Sequence, residues 1–198
     1  MKRWNHMALA LCLAAATAAC AGDQTPDADR PAGAEPVGTA GRDGNAAATR
    51  DADADREFVE EMIADSNAEV ELGRLVRDKS KNRQVREFAA MMIEDHRKAG
   101  MELKQAASTA DITTTPSAGA AEDHNELEER LSKLSGAEFD REYIQAMIDD
   151  HQEAVDAAQE KADGAANAQV KQWAANTLPT LRKHLDQAKR IQENLENK

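Results

Sequence analysis

The stretch DREFVEEMIAD at residues 55–65 recurs as DREYIQAMIDD at residues 140–150, 85 residues later. The similarity continues along both copies, and NRQVREFAA at 82–90 matches NAQVKQWAA at 167–175. Self-similarity at a fixed spacing indicates one supersecondary unit used twice. Apolar residues recur every three or four positions in both copies, which predicts amphipathic helices. We therefore expect two copies of a helical unit.

Each copy is predicted to be a helical hairpin, because only short links, DKSKN at 78–82 and DGAAN at 163–167, separate its two helices. The hairpins cover about residues 55–106 and 138–195. Between them, residues 107–137 form a long connection that is predicted to contain a short helix, EDHNELEERLSKL. A connection of this length permits the crossover topology of ferritin-like bundles. The predicted fold class is all-α, a ferritin-like four-helix bundle of two hairpins joined by a long crossover.

The chain divides into three parts by composition. Residues 1–20 have a short basic start and an apolar run that ends in ATAAC, which is typical of a secretory signal rather than a membrane span. Residues 21–54 contain one large aliphatic residue, Val37, and are predicted to be a disordered tether. The folded domain is expected at 55–198.

Cys20, at the end of the signal, resembles the lipidated cysteine of a bacterial lipoprotein, with Thr17 in place of the usual leucine. Simple cleavage by signal peptidase is the alternative. A lipid at Cys20 would attach the protein to a membrane, and we expect export to the cell envelope, either the periplasm or the outer membrane. The net charge of -12 argues against nucleic acid as a partner, because such partners require a basic surface.

One polar residue interrupts the apolar stripe near the middle of each predicted long helix: Glu69, His96, His151 and His184. Because each residue adds 1.5 Å of rise to a helix, mid-helix positions in packed helices of similar length fall at about the same depth. Imidazole and carboxylate together suit iron, manganese, zinc or copper. The four side chains are therefore candidate ligands of one transition metal, and satisfied core residues without a metal are the alternative.

Three aspartates are candidate additional ligands, or partners that orient a ligand: Asp65, Asp95 and Asp150. His124 lies in the connecting segment and is expected to be solvated. The sequence has no GxSxG, HExxH or phosphate-binding loop, so no catalytic residue is assigned. An enzymatic activity stays open, while a binding role is favoured.

Several stretches together resemble the family called domain of unknown function 4142, which comprises bacterial exported proteins of the ferritin-like superfamily: AEVELGRLV (68–76), VREFAAMMIEDH (85–96), LSGAEFDREYI (134–144), DDHQEAV (149–155) and NTLPTLRKH (176–184). The resemblance covers about residues 56–194. It implies a four-helix bundle, export and often lipidation, and it carries no established activity.

The wider superfamily binds two metals through a glutamate on each of two helices and an ExxH motif on each of the others. This chain has Ile93 three residues before His96 and Leu181 three residues before His184, so both ExxH motifs are missing. One asymmetric metal site therefore fits the residues better than a symmetric pair. Two alternatives stay open: a metal-free structural or interaction module of the envelope, and a di-iron oxidase.

Overall fold

The computed structural model describes residues 40–115 and 117–197, and the secondary-structure elements of these residues are all α-helices. The predicted signal, Cys20 and the first part of the predicted tether lie outside the described residues. Five helices follow in the order α1 (Ala40–Lys79), α2 (Arg83–Thr109), α3 (Ala118–Ser132), α4 (Gly136–Gly164) and α5 (Ala168–Glu196). None of the described helices has the length and apolar character needed to cross a membrane.

Equivalent asparagines begin the second helix of each hairpin. Oδ1 of Asn82 accepts a hydrogen bond from the amide of Gln84 at 3.0 Å. Oδ1 of Asn167 accepts from the amides of Gln169 at 2.9 Å and of Val170 at 3.3 Å. An asparagine cap of this kind stabilises a helix by about 1 kcal/mol. Each cap begins a helix directly after a short turn, and α1 packs along α2 while α4 packs along α5.

The predicted crossover is largely helical, since α2 continues to Thr109 and α3 starts at Ala118. Helix α3 packs beside α1, and Leu131 is fully buried. Nζ of Lys79, at the end of α1, donates to the carbonyl oxygen of Leu134 at 2.8 Å and also to that of Ser132. The ammonium group therefore satisfies carbonyls at the C-terminal end of α3, where cations are favoured.

The predicted tether is wrong over residues 40–54, because α1 begins at Ala40. This stretch is rich in alanine, the residue with the highest helix propensity, and it contains no proline. Its side chains from 46 to 54 are exposed, and the next residue, Asp55, is buried. Low hydrophobicity correctly indicated that the stretch leaves the core, but an exposed helix has the same composition.

Two apolar clusters form the core, one containing Phe58, Trp173 and Leu185 and the other containing Leu72 and Phe88. A polar layer separates them, which we define as Glu69, His96, His151 and His184. On every long helix the residue of the polar layer lies between one residue of the first cluster and one residue of the second. These flanking pairs are Met62 and Leu72 on α1, Met92 and Leu103 on α2, Met147 and Val155 on α4, and Leu181 and Ala188 on α5.

Asp55 and Asp140 occupy equivalent positions in the two copies and differ in their contacts. The carboxylate of Asp55 accepts from the backbone amide of Asn167 at 2.7 Å and from Nζ of Lys161 at 3.0 Å. In contrast, Oδ1 of Asp140 is buried without a hydrogen-bond partner among the described residues. The first aspartate therefore joins α1 to the α4–α5 turn.

We predict that Asp55→Ala lowers the free energy of unfolding by about 2 kcal/mol or more, because hydrogen bonds to charged groups contribute about 1.5–3 kcal/mol and Lys161 would keep a half-buried charge. Asp140→Ala is the matched control and should cost less. Urea unfolding of both variants measures the difference, and equal losses would contradict this account.

Candidate metal centre

The four residues of the polar layer come together inside the bundle, one from each long helix. Their exposed fractions are 3% for Glu69, 7% for His96, 0% for His151 and 1% for His184. The three imidazole ring centroids lie 5.3–5.4 Å apart. One ring nitrogen of each histidine lies within 4.8 Å of the others. The three histidines therefore converge on one position, and Glu69 lies beside them without joining that group.

The two histidines of the second hairpin face each other most closely. Nε2 of His151 lies 3.3 Å from Nδ1 of His184. Two nitrogen ligands of one tetrahedral ion, each bound at about 2.0–2.1 Å, are separated by roughly 3.4 Å. The observed separation of 3.3 Å is close to this value.

In His151 and His184, the ring nitrogen that points away from the 3.3 Å contact lies near an oxygen acceptor, and this oxygen assigns the tautomer of the ring. Nδ1 of His151 lies 3.0 Å from the carbonyl oxygen of Met147, and Nε2 of His184 lies 2.9 Å from Oδ2 of Asp95. Carbonyl and carboxylate oxygens only accept, so these two nitrogens carry the protons. In the neutral rings, Nε2 of His151 and Nδ1 of His184 then present lone pairs to each other. Such an arrangement repels unless a cation lies between the two nitrogens.

Glu69 contacts two of the imidazoles and lies outside the group of three converging ring nitrogens. Its Oε2 is 2.7 Å from Nε2 of His96, and its Oε1 is 3.7 Å from Nδ1 of His151. The 2.7 Å contact does not have the alignment of a hydrogen bond. The carboxylate therefore supplies a negative charge beside the imidazoles.

The environment separates the protonation states of the four groups. Burial alone raises the pKa of the Glu69 carboxyl, but His96 and the other two imidazoles outweigh burial and lower this pKa to about 2. Burial lowers the pKa of His151 to about 4 and also lowers the pKa of His184. For His96, burial is outweighed by the Glu69 charge, so its pKa is raised. At neutral pH the layer thus holds an ionised carboxylate and two neutral imidazoles.

The three aspartates that were candidate additional ligands have different surroundings. Asp95 is half-buried and accepts the hydrogen bond from His184, the arrangement that orients metal-binding histidines. Asp65 faces a different residue, with its Oδ1 at 3.4 Å from Nε2 of His124. Asp150 is half-buried and lies outside the converging group.

The expectation that His124 is solvated is wrong, since its exposed fraction is 7%. His124, Leu127 and Leu131 share one face of α3 and are all buried. Their spacing of three and four is visible in the sequence and would have indicated a buried position. The composition around His124, which is mainly acidic and polar, masked this signal.

Comparison with known proteins agrees with the resemblance noted in the sequence. The family model described as domain of unknown function (DUF4142) matches residues 40–191. The chain belongs to the DUF4142 family. No curated protein matches this DUF4142 chain.

A crystal structure of a DUF305 protein from Streptomyces coelicolor, described as a candidate secreted protein, is similar to this DUF4142 protein. The TM-score is 0.61 at 16% sequence identity, and the match covers 72% of this chain and 94% of the other. At this identity the likeness concerns the helical fold alone.

The pKa of His151 predicts an acid-dependent loss of stability. This pKa is lowered to about 4 from 6.5. The unfolded chain therefore binds a proton that the folded chain does not between these values, and stability falls as the pH drops from about 6.5 to about 4, by roughly 3 kcal/mol. Urea unfolding of chelator-treated protein across this pH range measures the slope. His151→Leu should reduce the slope, and an unchanged slope would contradict the assignment.

Proposed function

We propose that the protein is an exported, lipid-anchored protein of ferritin-like architecture that binds one transition-metal ion between His96, His151 and His184, with Glu69 balancing the charge. The observation that carries the proposal is the pair of lone pairs facing each other across 3.3 Å, on His151 and His184. A bound cation turns this repulsion into two coordination bonds. A binding role follows, and the proposal includes no reaction.

The donor set narrows the choice of metal. Three imidazole nitrogens suit zinc, copper or iron, whereas manganese prefers more oxygen ligands. Glu69 can add one oxygen donor after a small side-chain movement, because its Oε2 already lies 2.7 Å from Nε2 of His96. Two of the three histidines have a hydrogen-bonding partner that orients the ring, as metal-binding histidines usually do. We therefore favour zinc, iron or copper over manganese.

Export and anchoring rest on the N-terminal sequence. Residues 1–20 have the pattern of a secretory signal, and Cys20 stands where a lipid would be attached. The DUF305 protein of similar fold is described as a candidate secreted protein. We propose that the helical domain stands in the cell envelope, in the periplasm or on an outer-membrane anchor.

A metal-free structural or interaction module is the second candidate. The hydrogen bonds from His151 to Met147 and from His184 to Asp95 favour it, since they partly satisfy the buried rings without metal. That hypothesis expects the histidines at well-separated points, whereas one nitrogen of each lies within 4.8 Å of the others. A di-iron oxidase requires two metal positions. The described residues form one cluster with metal-ligand spacing, and both ExxH motifs are missing, so this alternative is the weakest.

Metal analysis of the purified protein tests the proposal. We expect about one zinc, iron or copper ion per chain, and removal of the ion by chelator should lower the melting temperature, because an ion bound only by the folded state stabilises that state. His96→Ala combined with His151→Ala should abolish both effects. His124→Ala, which removes a buried histidine outside the polar layer, is the control and should retain the metal. A metal-free protein with no response to added metal would refute the proposal.

Asp95→Asn should weaken metal binding about 10–100-fold, the usual effect of removing the carboxylate that orients a metal-binding imidazole. The amide keeps the shape but no longer favours the proton on Nε2 of His184. Isothermal titration of chelator-treated protein with zinc measures the change. Glu94→Gln, at an exposed position next to Asp95, is the matched control, and a similar loss in both variants would contradict the role of Asp95.

A further inference from the structure

The charge of the protein is distributed unevenly over the five helices. Helices α1, α3 and α4 contain 25 acidic and nine basic residues, whereas α2 and α5 contain ten basic and seven acidic residues. Helix α3 packs against α1 and α4, while α2 packs against α5, so α2 and α5 form the side of the bundle opposite α3. A protein of net charge -12 therefore has one side on which basic residues are in excess.

The internal repeat places basic residues at the same positions of α2 and α5. All the matching residues are exposed, so packing in the core does not account for the agreement. At the spacing of 85 residues, the pairs are Arg86 and Lys171, Arg97 and Arg182, Lys98 and Lys183, and Lys104 and Lys189.

These residues are concentrated near the depth of the polar layer. Arg97 and Lys98 directly follow His96, and the two residues directly before His184 are also basic. Helices α2 and α5 run in opposite directions between the two apolar clusters, so the repeated basic residues of both helices meet near the middle of this side. We define the basic face as the exposed side chains of residues 97–104 of α2 and 182–190 of α5. These two segments contain seven basic and two acidic residues.

Nearby groups do not neutralise the basic face. Lys98 lies 3.9 Å from Glu102, and an exposed pair of this kind contributes little. Arg182 donates a hydrogen bond to Oε1 of Gln159, a neutral amide, at 2.7 Å. The far side of a bundle two helices thick is about 20 Å away. This distance exceeds the Debye length of about 8 Å at physiological ionic strength, so the acidic side screens the basic face only weakly.

The chemistry of the basic face fits lipid headgroups better than another protein. Stable protein interfaces have an apolar centre. Among the described residues, Met101 is the one large hydrophobic side chain that is exposed, so the basic face lacks such a centre. Attraction to an anionic membrane requires only basic side chains near the surface. Arginine and lysine also form charge-assisted hydrogen bonds with phosphate oxygens.

The chain before α1 is long enough to place the basic face on a membrane. Along α1, the distance from Ala40 to the depth of Glu69 is about 44 Å, at 1.5 Å per residue. The 20 residues from Cys20 to Ala40 can span at most about 70 Å. A lipid at Cys20 therefore permits the bundle to lie with its long side against the membrane.

We propose that the basic face docks on the anionic phospholipid headgroups of a membrane, with α3 on the side that faces water. The inference goes beyond the metal site. It rests on the proposed anchor at Cys20 only for bringing the protein to the membrane. The anchor would hold the protein at the surface, and the basic face would set its orientation there.

Vesicle binding tests the proposal without the anchor. The protein is produced from residue 21 onward, which retains all five helices and omits both the signal and the lipidation position. We expect it to sediment with mixed phosphatidylglycerol and phosphatidylcholine vesicles and not with phosphatidylcholine alone. Binding should weaken about tenfold or more when salt is raised from about 0.05 M to about 0.5 M, because salt screens exposed charges. Absence of binding to the anionic vesicles at low salt would overturn the proposal.

Matched charge reversals test whether the basic face makes the contact. Lys183→Glu combined with Arg190→Glu should weaken binding about tenfold or more, since each basic residue near an anionic surface raises affinity about fivefold. Arg77→Glu combined with Arg141→Glu changes the net charge equally, at exposed positions of α1 and α4, and should have less than about a twofold effect. Thermal unfolding checks that both variants fold. Equal losses in the two variants would place binding elsewhere and overturn the proposal.

A second copy of the chain is the competing partner, because its acidic side would complement the basic face. Sedimentation velocity without vesicles distinguishes the two. We expect a monomer, and an oligomer that dissociates on Lys183→Glu combined with Arg190→Glu would overturn the membrane assignment. Failure of the metal proposal would leave these results unchanged, because every binding measurement is made equally on chelator-treated protein. Failure of lipidation at Cys20 would also leave them unchanged, since that residue is absent.

Discussion

The central constraint on this protein is an ionisable layer in the middle of an apolar core. A buried carboxylate without compensation is very costly, and the imidazoles around Glu69 provide that compensation so strongly that its pKa is lowered to about 2. His96, whose Nε2 lies 2.7 Å from the Glu69 carboxylate, provides most of this compensation. This interaction does not relieve the repulsion between the facing lone pairs of His151 and His184. The layer therefore balances the charge of its carboxylate and still favours a further cation.

The internal repeat explains how such a layer can exist within a stable bundle. Residues that the two copies share build the hairpins, and the asparagine caps at Asn82 and Asn167 are the clearest pair. The layer residues are unshared. The counterparts of Glu69 and His96 in the second copy are Ala154 and Leu181, which belong to an apolar cluster. Duplication thus supplied a symmetric scaffold, and the differences between the copies concentrate polar groups at a single level of it.

The asymmetry extends to the surroundings of the layer. The first hairpin carries the cavity beside His96 and receives α3, which packs along α1 and is held through Lys79. On the second hairpin, His151 and His184 are enclosed and have protein acceptors. One side of the layer is therefore closed by the protein itself, while His96 on the other side is among the residues that line a cavity.

The sequence by itself determined the helices, the two hairpins and the depth of the four polar residues, because helical periodicity and rise are local properties of the chain. It did not determine that residues 40–54 are helical, since an exposed helix and a tether have similar compositions, or that His124 is buried against Asp65. Only the tertiary structure decided which nitrogen of each ring faces the centre and which ring borders a cavity. These features depend on the rotation of each helix about its axis and on the rotamer of each side chain. Both are set by packing between segments that are distant in the chain, so periodicity within one helix carries no information about them.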